Sequence, residues 1–309
     1  VPFLAIAIVV LLGIVASSYK QTIRAYPGGG GAYTVAKENL GTGASLVAGA
    51  SLLLDYVLTV AVSISAGTAA ITAAVPALYD HRVNLALMLI LIITVANLRG
   101  VRESGALFSP PVYAFIACIG LLIVTGLLRS LTGTLEVALL TPPQTGELLE
   151  PLTSLLVLTA FSSGCVALTG IEAISNGVMA FKPPESENAS RVLTRLVLVL
   201  SALLLGVSLL SWRYGAFPGE RETLLSVLGK GIFGQGIVYV LIQGTTATIL
   251  VLAANTSFAD FPRLSSVMAR DSFLPRQLQN LGDRLCYSNG ILLLAASSVE
   301  LHRFFAVKL

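Results

Sequence analysis

Eight apolar runs separated by short polar or charged stretches set the pattern of this chain. A helix that crosses a bilayer needs about 20 mostly apolar residues. The runs therefore predict crossing helices over residues 1–19, 45–78, 83–98, 106–128, 151–181, 196–212 and 231–259, with an eighth that begins near residue 286. The run 45–78 is longer than one crossing and contains Asp55; the run 151–181 contains Glu172. The expected fold class is an all-α polytopic membrane protein of about eight membrane segments.

Composition supports this reading. Hydrophobic residues make up 55% of the chain and charged residues 11%, against roughly 25% charged residues in soluble domains. The mean hydropathy is +0.85. So few charges cannot cover a water-facing surface of this size. The lipid bilayer is the first expected partner.

The net charge of +3 says little, but its distribution gives an orientation. If loops alternate sides, one set carries twelve Lys and Arg and the other five. The richer side is cytoplasmic by the positive-inside rule. Loops 20–43, 99–105, 182–195 and 260–285 are then cytoplasmic, and the protein is integral to the cytoplasmic membrane. The chain begins at Val1 inside an apolar run and stops soon after another has started. It reads as a piece of a longer protein, truncated at both ends.

Several function classes find no support. No basic tract exists, and the aromatic residues are scattered through apolar runs, so no nucleic-acid partner is expected. Cys118, Cys165 and Cys286 have no CxxC spacing, and His81 and His302 stand alone. No nucleophile–base pair or cofactor fingerprint appears, so neither an enzyme nor a cofactor is expected. The four glycines at 28–31 lack the Gly-Lys-Ser/Thr and the preceding strand of a phosphate loop. They suit a membrane-side turn. The acidic stretch 132–150 reads as a solvated outer loop.

Candidate chemistry rests on the two acids within the spans. An ionisable side chain at mid-membrane costs about 2.5–3.5 kcal/mol on insertion scales, and such residues usually face a cavity or a partner. In "LLLDYVLTVAVSISAG", Asp55, Thr59 and Ser63 recur every fourth residue and fall within about 80° of one another on a helix. Tyr56 widens the arc to about 100°. The stripe is an oxygen-bearing face, or else a set of hydroxyls bonded to their own helix carbonyls.

In "FSSGCVALTGIEAISNG", Ser162-Ser163-Gly164 and Gly170 weaken the helix twice. A glycine costs about 1 kcal/mol in a helix interior. Secondary transporters use discontinuous helices near the midplane, where unwound carbonyls and helix ends hold ions. A break near residues 162–172, with Thr169 and Glu172 at the restart, is a candidate all-oxygen cation site. The same glycines also suit a plain helix whose small residues let neighbours approach closely.

These two blocks, with "YPGGGGAYTVAKENLG" and "ANTSFADFPRLSSVMARDSFLPRQ", occur in one order along the chain. Together they resemble the APC superfamily and, within it, the KimA-type potassium importers of the Kup group. The "GGGGAY" block is also similar to a loop of amino-acid permeases in that superfamily. The resemblance runs to about residue 297. It implies a LeuT-type inverted-repeat fold of ten core helices, with the first and sixth broken. This chain would run from the second core helix to the start of the ninth, without the first and the tenth. A transporter domain over 1–300 is expected, with a tail over 301–309 that does not continue the family pattern.

The resemblance implies proton-coupled potassium uptake by alternating access, and a homodimer in the full-length parent. Ion-binding and coupling residues carried over by position are Asp55, Tyr56, Thr59, Ser63, Thr169 and Glu172. Potassium and protons are the implied transported species. An amino-acid or polyamine permease on the same fold is the alternative; there Glu172 suits a cationic substrate better than a carboxylate. A non-transporting membrane component is the reading from another class.

Overall fold

The computed structural model describes residues 2–26, 31–100, 105–133, 153–219, 221–282 and 287–308. Among these the secondary structure is helical throughout. The helices are α1 (Pro2–Ala25), α2 (Ala32–Leu40), α3 (Thr42–Ala74), α4 (Arg82–Leu98), α5 (Gly105–Thr132), α6 (Ser154–Gly164), α7 (Ile171–Asn176), α8 (Glu185–Tyr214), α9 (Leu224–Phe233), α10 (Ile237–Arg270) and α11 (Ser288–Lys308). Six of them, or six segments built on them, are long and apolar enough to cross a membrane: α1, α3, α4 with its preceding turn, α5, α8 and α10. The interrupted α6–α7 segment and α11 correspond to the other two expected spans. The expected outer loop 132–150 lies almost wholly outside the described residues.

Differences from the apolar runs have local causes. The second span stops at Ala74, because Pro76 cannot continue an α-helix and opens a 3-10 turn over Pro76–His81. The expected seventh run is two elements. Gly234 adopts φ +69°, which ends α9, and α10 starts afresh at Ile237. At its other end α10 continues through the expected loop to Arg270. At 1.5 Å per residue this helix is about 50 Å long. That exceeds a hydrocarbon core of about 30 Å, so its length is compatible with Arg263 and Arg270 lying in water.

The chain divides into two compact units. The first holds residues 1–45 and 120–217, and so α1, α2, α6, α7, α8 and the second half of α5. Here α1 packs along α8 and against α6 and α7. Ala5, Ile8, Leu12, Ala16 and Ile23 are its buried stripe, at helical spacing. Leu12, Ala16 and Ile23 meet Ile171, Val178, Ala189 and Leu193 in one core. Ser186 Oγ donates to the Ile23 carbonyl at 3.2 Å and ties the start of α8 to the end of α1.

The second unit holds residues 46–119 and 218–309. Its core joins Tyr56, Val60 and Ile64 of α3 to Ile90 and Ile93 of α4, Phe258 and Phe261 of α10, and Leu294 of α11. Lipid tails are as apolar as these side chains, so close packing and interhelical hydrogen bonds hold such helices together. Both are present. Gly67 of α3 faces Ala247 and Leu250 of α10 at packing distance. Asn97 donates to Asn255 Oδ1 at 2.8 Å between α4 and α10. Tyr239 donates to the Ala73 carbonyl at 2.8 Å and links α10 to α3.

Candidate functional site

The broken helix of the first unit is the centre of the candidate site. Thr153 caps α6, accepting from the Leu156 amide at 3.2 Å. The helix ends at Gly164, tightens into a 3-10 turn over Cys165–Leu168, and opens at Thr169, whose φ of −63° and ψ of 145° are extended. Gly170 then takes φ +85°, and α7 restarts at Ile171. A left-handed residue here needs glycine, because other L-residues meet a steric penalty of roughly 1–2 kcal/mol. The regular i→i−4 ladder is therefore interrupted between Gly164 and Ile171. Such backbone at membrane depth must lie against protein or line a polar cavity.

Glu172 sits in the first turn of α7 and is only 8% exposed. Its neighbours Ile171 and Ser175 are buried with it. Tyr19 of α1 packs on the core that Ile171 joins. Thr169 is exposed; its hydroxyl donates to the Val166 carbonyl at 2.8 Å, which the Thr169 amide also reaches at 3.1 Å. The threonine thus holds the extended turn in place and keeps its oxygen lone pairs as acceptors.

The other expected residues belong to the second unit. Asp55, Thr59 and Ser63 share one face of α3, as the spacing predicts. Asp55 is half-buried and has no hydrogen-bond or ion-pair partner among the described residues. The hydroxyls of Thr59 and Ser63 make no bond to their own helix. By contrast, Ser65 bonds Ala61 and Thr94 bonds Ile90 in that way. The alternative reading of the stripe, hydroxyls spent on helix carbonyls, is thus not what the backbone adopts at these two positions. Tyr56 is set apart from them: at 4% exposure its ring belongs to the unit's apolar core.

Tyr19 was not among the expected site residues. In sequence it is an aromatic at the end of an apolar run, and only the packing of α1 against α7 brings it to the core beside the break.

Comparison with known proteins identifies the family. A family model described as amino acid permease matches residues 1–306. The potassium transporter KimA of Bacillus subtilis is 48% identical over 301 residues, which is 96% of this chain and 49% of that protein. The low-affinity putrescine importer PlaP of Escherichia coli K12 is 27% identical over 292 residues, covering 88% of this chain and 59% of the importer. The chain thus spans about half the length of the curated relatives it matches. An interrupted helix among long apolar ones and a family match along nearly the whole length lead to one conclusion: this integral, multi-pass membrane protein belongs to the amino acid permease family and has its LeuT-type fold.

Proposed function

We propose that the protein takes part in proton-coupled potassium uptake across the cytoplasmic membrane by alternating access. The observation that carries this is Glu172, a buried acid at the restart of an interrupted membrane helix. A dehydrated cation in a low-dielectric interior loses many kcal/mol of hydration. A fixed carboxylate and a set of carbonyl and hydroxyl oxygens replace that hydration. In this reading Glu172 neutralises the ion, while Thr169 and the carbonyls of the break supply oxygens. Asp55, Tyr56, Thr59 and Ser63 are the other proposed ion-binding or coupling residues, and Asp55 or Glu172 exchanges a proton in each cycle. The similarity to a potassium transporter supports the choice of ion. A homodimer is the proposed assembly.

The test is growth at low potassium, and rubidium uptake, in cells deficient in potassium import that carry the longest reading frame containing this chain. Glu172→Gln is expected to abolish uptake, and a protonophore to collapse it in the unaltered protein. Normal uptake by Glu172→Gln at low potassium removes that residue from the mechanism.

The second reading is a polyamine importer. It is favoured by the similarity to a putrescine importer and by a carboxylate that suits an ammonium as well as an alkali ion. Putrescine that displaces rubidium competitively, and is itself accumulated, would select it.

A further inference from the structure

The second unit contains a cavity of about 650 Å³ at the end that the charge rule places outside. Its walls come from the last turns of α3, the turn Pro76–His81, the start of α4, residues 218–219 and 221–223, and α11. The guanidinium groups of Arg82 and Arg221 both lie 4.7 Å from the centre of the Tyr79 ring. Stacking on one ring holds two like charges no further apart than twice that distance. Neither forms an ion pair among the described residues. Among the described residues that line the cavity, the one carboxylate is Glu222, and Lys230 already engages it. Asp80 and His81 are exposed beside the tyrosine but do not line the space. Among the described lining residues, the charges of Arg82 and Arg221 have no carboxylate partner.

The buried part of the wall is polar as well. Thr68, at 3% exposure, and His302, at 9%, each hold an atom without a hydrogen-bond partner, Oγ1 and Nε2 respectively. The Ser65 hydroxyl lies 2.8 Å from the Ala61 carbonyl and 3.0 Å from His302 Nδ1.

We propose that this cavity binds a phosphate group. Two planar guanidinium forks match tetrahedral oxyanions, each able to give paired N–H bonds. The same charge pair also fits the phosphodiester of a lipid headgroup at the outer membrane surface. The site is separate from the broken helix and does not rest on the cation reading.

The experiment is calorimetric titration of inorganic phosphate into the purified chain. It is done in phospholipid-free detergent at ionic strength fixed with chloride, and repeated in nanodiscs containing phosphatidylglycerol. Native mass spectrometry reads any retained phospholipid. Saturable phosphate binding that weakens at least tenfold in R82Q/R221Q supports a free-phosphate site. Retained phospholipid that is lost in R82Q/R221Q supports the headgroup as the source. Absence of both, or no change in either in a variant that elutes like the parent, overturns the proposal. Should R82Q/R221Q fail to fold, R82K/R221K keeps the charge and loses the fork. Affinity is then expected to fall several-fold, and unchanged affinity overturns the proposal.

Discussion

Gly170 gives the sharpest test of the broken helix, because its substitution isolates backbone strain from packing. Its φ is +85°, and a Cβ added there meets nothing within 4 Å. Gly170→Ala therefore introduces no clash with neighbouring atoms. What remains is the left-handed penalty of roughly 1–2 kcal/mol for an L-residue. Alanine also favours continuing the helix, by about 1 kcal/mol over glycine, which pushes in the same direction. Together they shift the equilibrium by about 2–3 kcal/mol, which changes a two-state ratio by a factor of roughly 30–150. If the break is the cation-binding conformation, half-saturation of rubidium uptake should rise by about that factor in Gly170→Ala. Gly170→Asn should fall between the two, because asparagine tolerates the left-handed region. Thermal denaturation of the detergent-purified protein should follow the same order, whatever the transported species. Gly13→Ala on α1 is the control: nothing lies within 4 Å there and φ is not left-handed. Equal uptake and equal melting for glycine, asparagine and alanine at position 170 would refute the reasoning. So would a Gly170→Ala effect no larger than that of Gly13→Ala.

Two further predictions concern what holds the second unit together. Tyr239→Phe removes a buried hydroxyl that donates to Ala73 and lies 2.8 Å from Ser226 Oγ, with both partners buried. Unsatisfied buried groups cost about 1–3 kcal/mol, so melting should drop, and adding Ser226→Ala should recover part of the loss. A double-mutant cycle on Asn97→Leu and Asn255→Leu, read by unfolding in mixed micelles, should give a coupling of about 0.6 kcal/mol. It should not exceed about 1.7 kcal/mol, because the unfolded chain in a membrane also finds partners.

The physics of the bilayer made much of this protein legible in one dimension. Lipid forces each crossing segment to satisfy its own backbone and to be apolar for about 20 residues. The spans and the all-helical class follow from that constraint alone. The break in the fifth segment was equally readable, because Gly164 and Gly170 weaken the helix locally and the acid beside them is anomalous in lipid. The face shared by Asp55, Thr59 and Ser63 needed only the helical repeat.

Other features depended on contacts between distant parts of the chain. Tyr56 lies within the predicted arc, yet its ring enters a core built from α4, α10 and α11. An angle on a helical wheel does not say which neighbour fills that side. Tyr19 joins the core beside α7 only because α1 packs on that helix. Tyr79, Arg82 and Arg221 lie in segments that sequence treats as plain outer loops, and their shared ring appears only when the segment before α9 folds onto the end of α3. Periodicity and composition are properties of a segment and can be read in order. A cavity is a property of which segments become neighbours, and in a bundle of similar apolar helices that choice is made by shape and a few polar contacts.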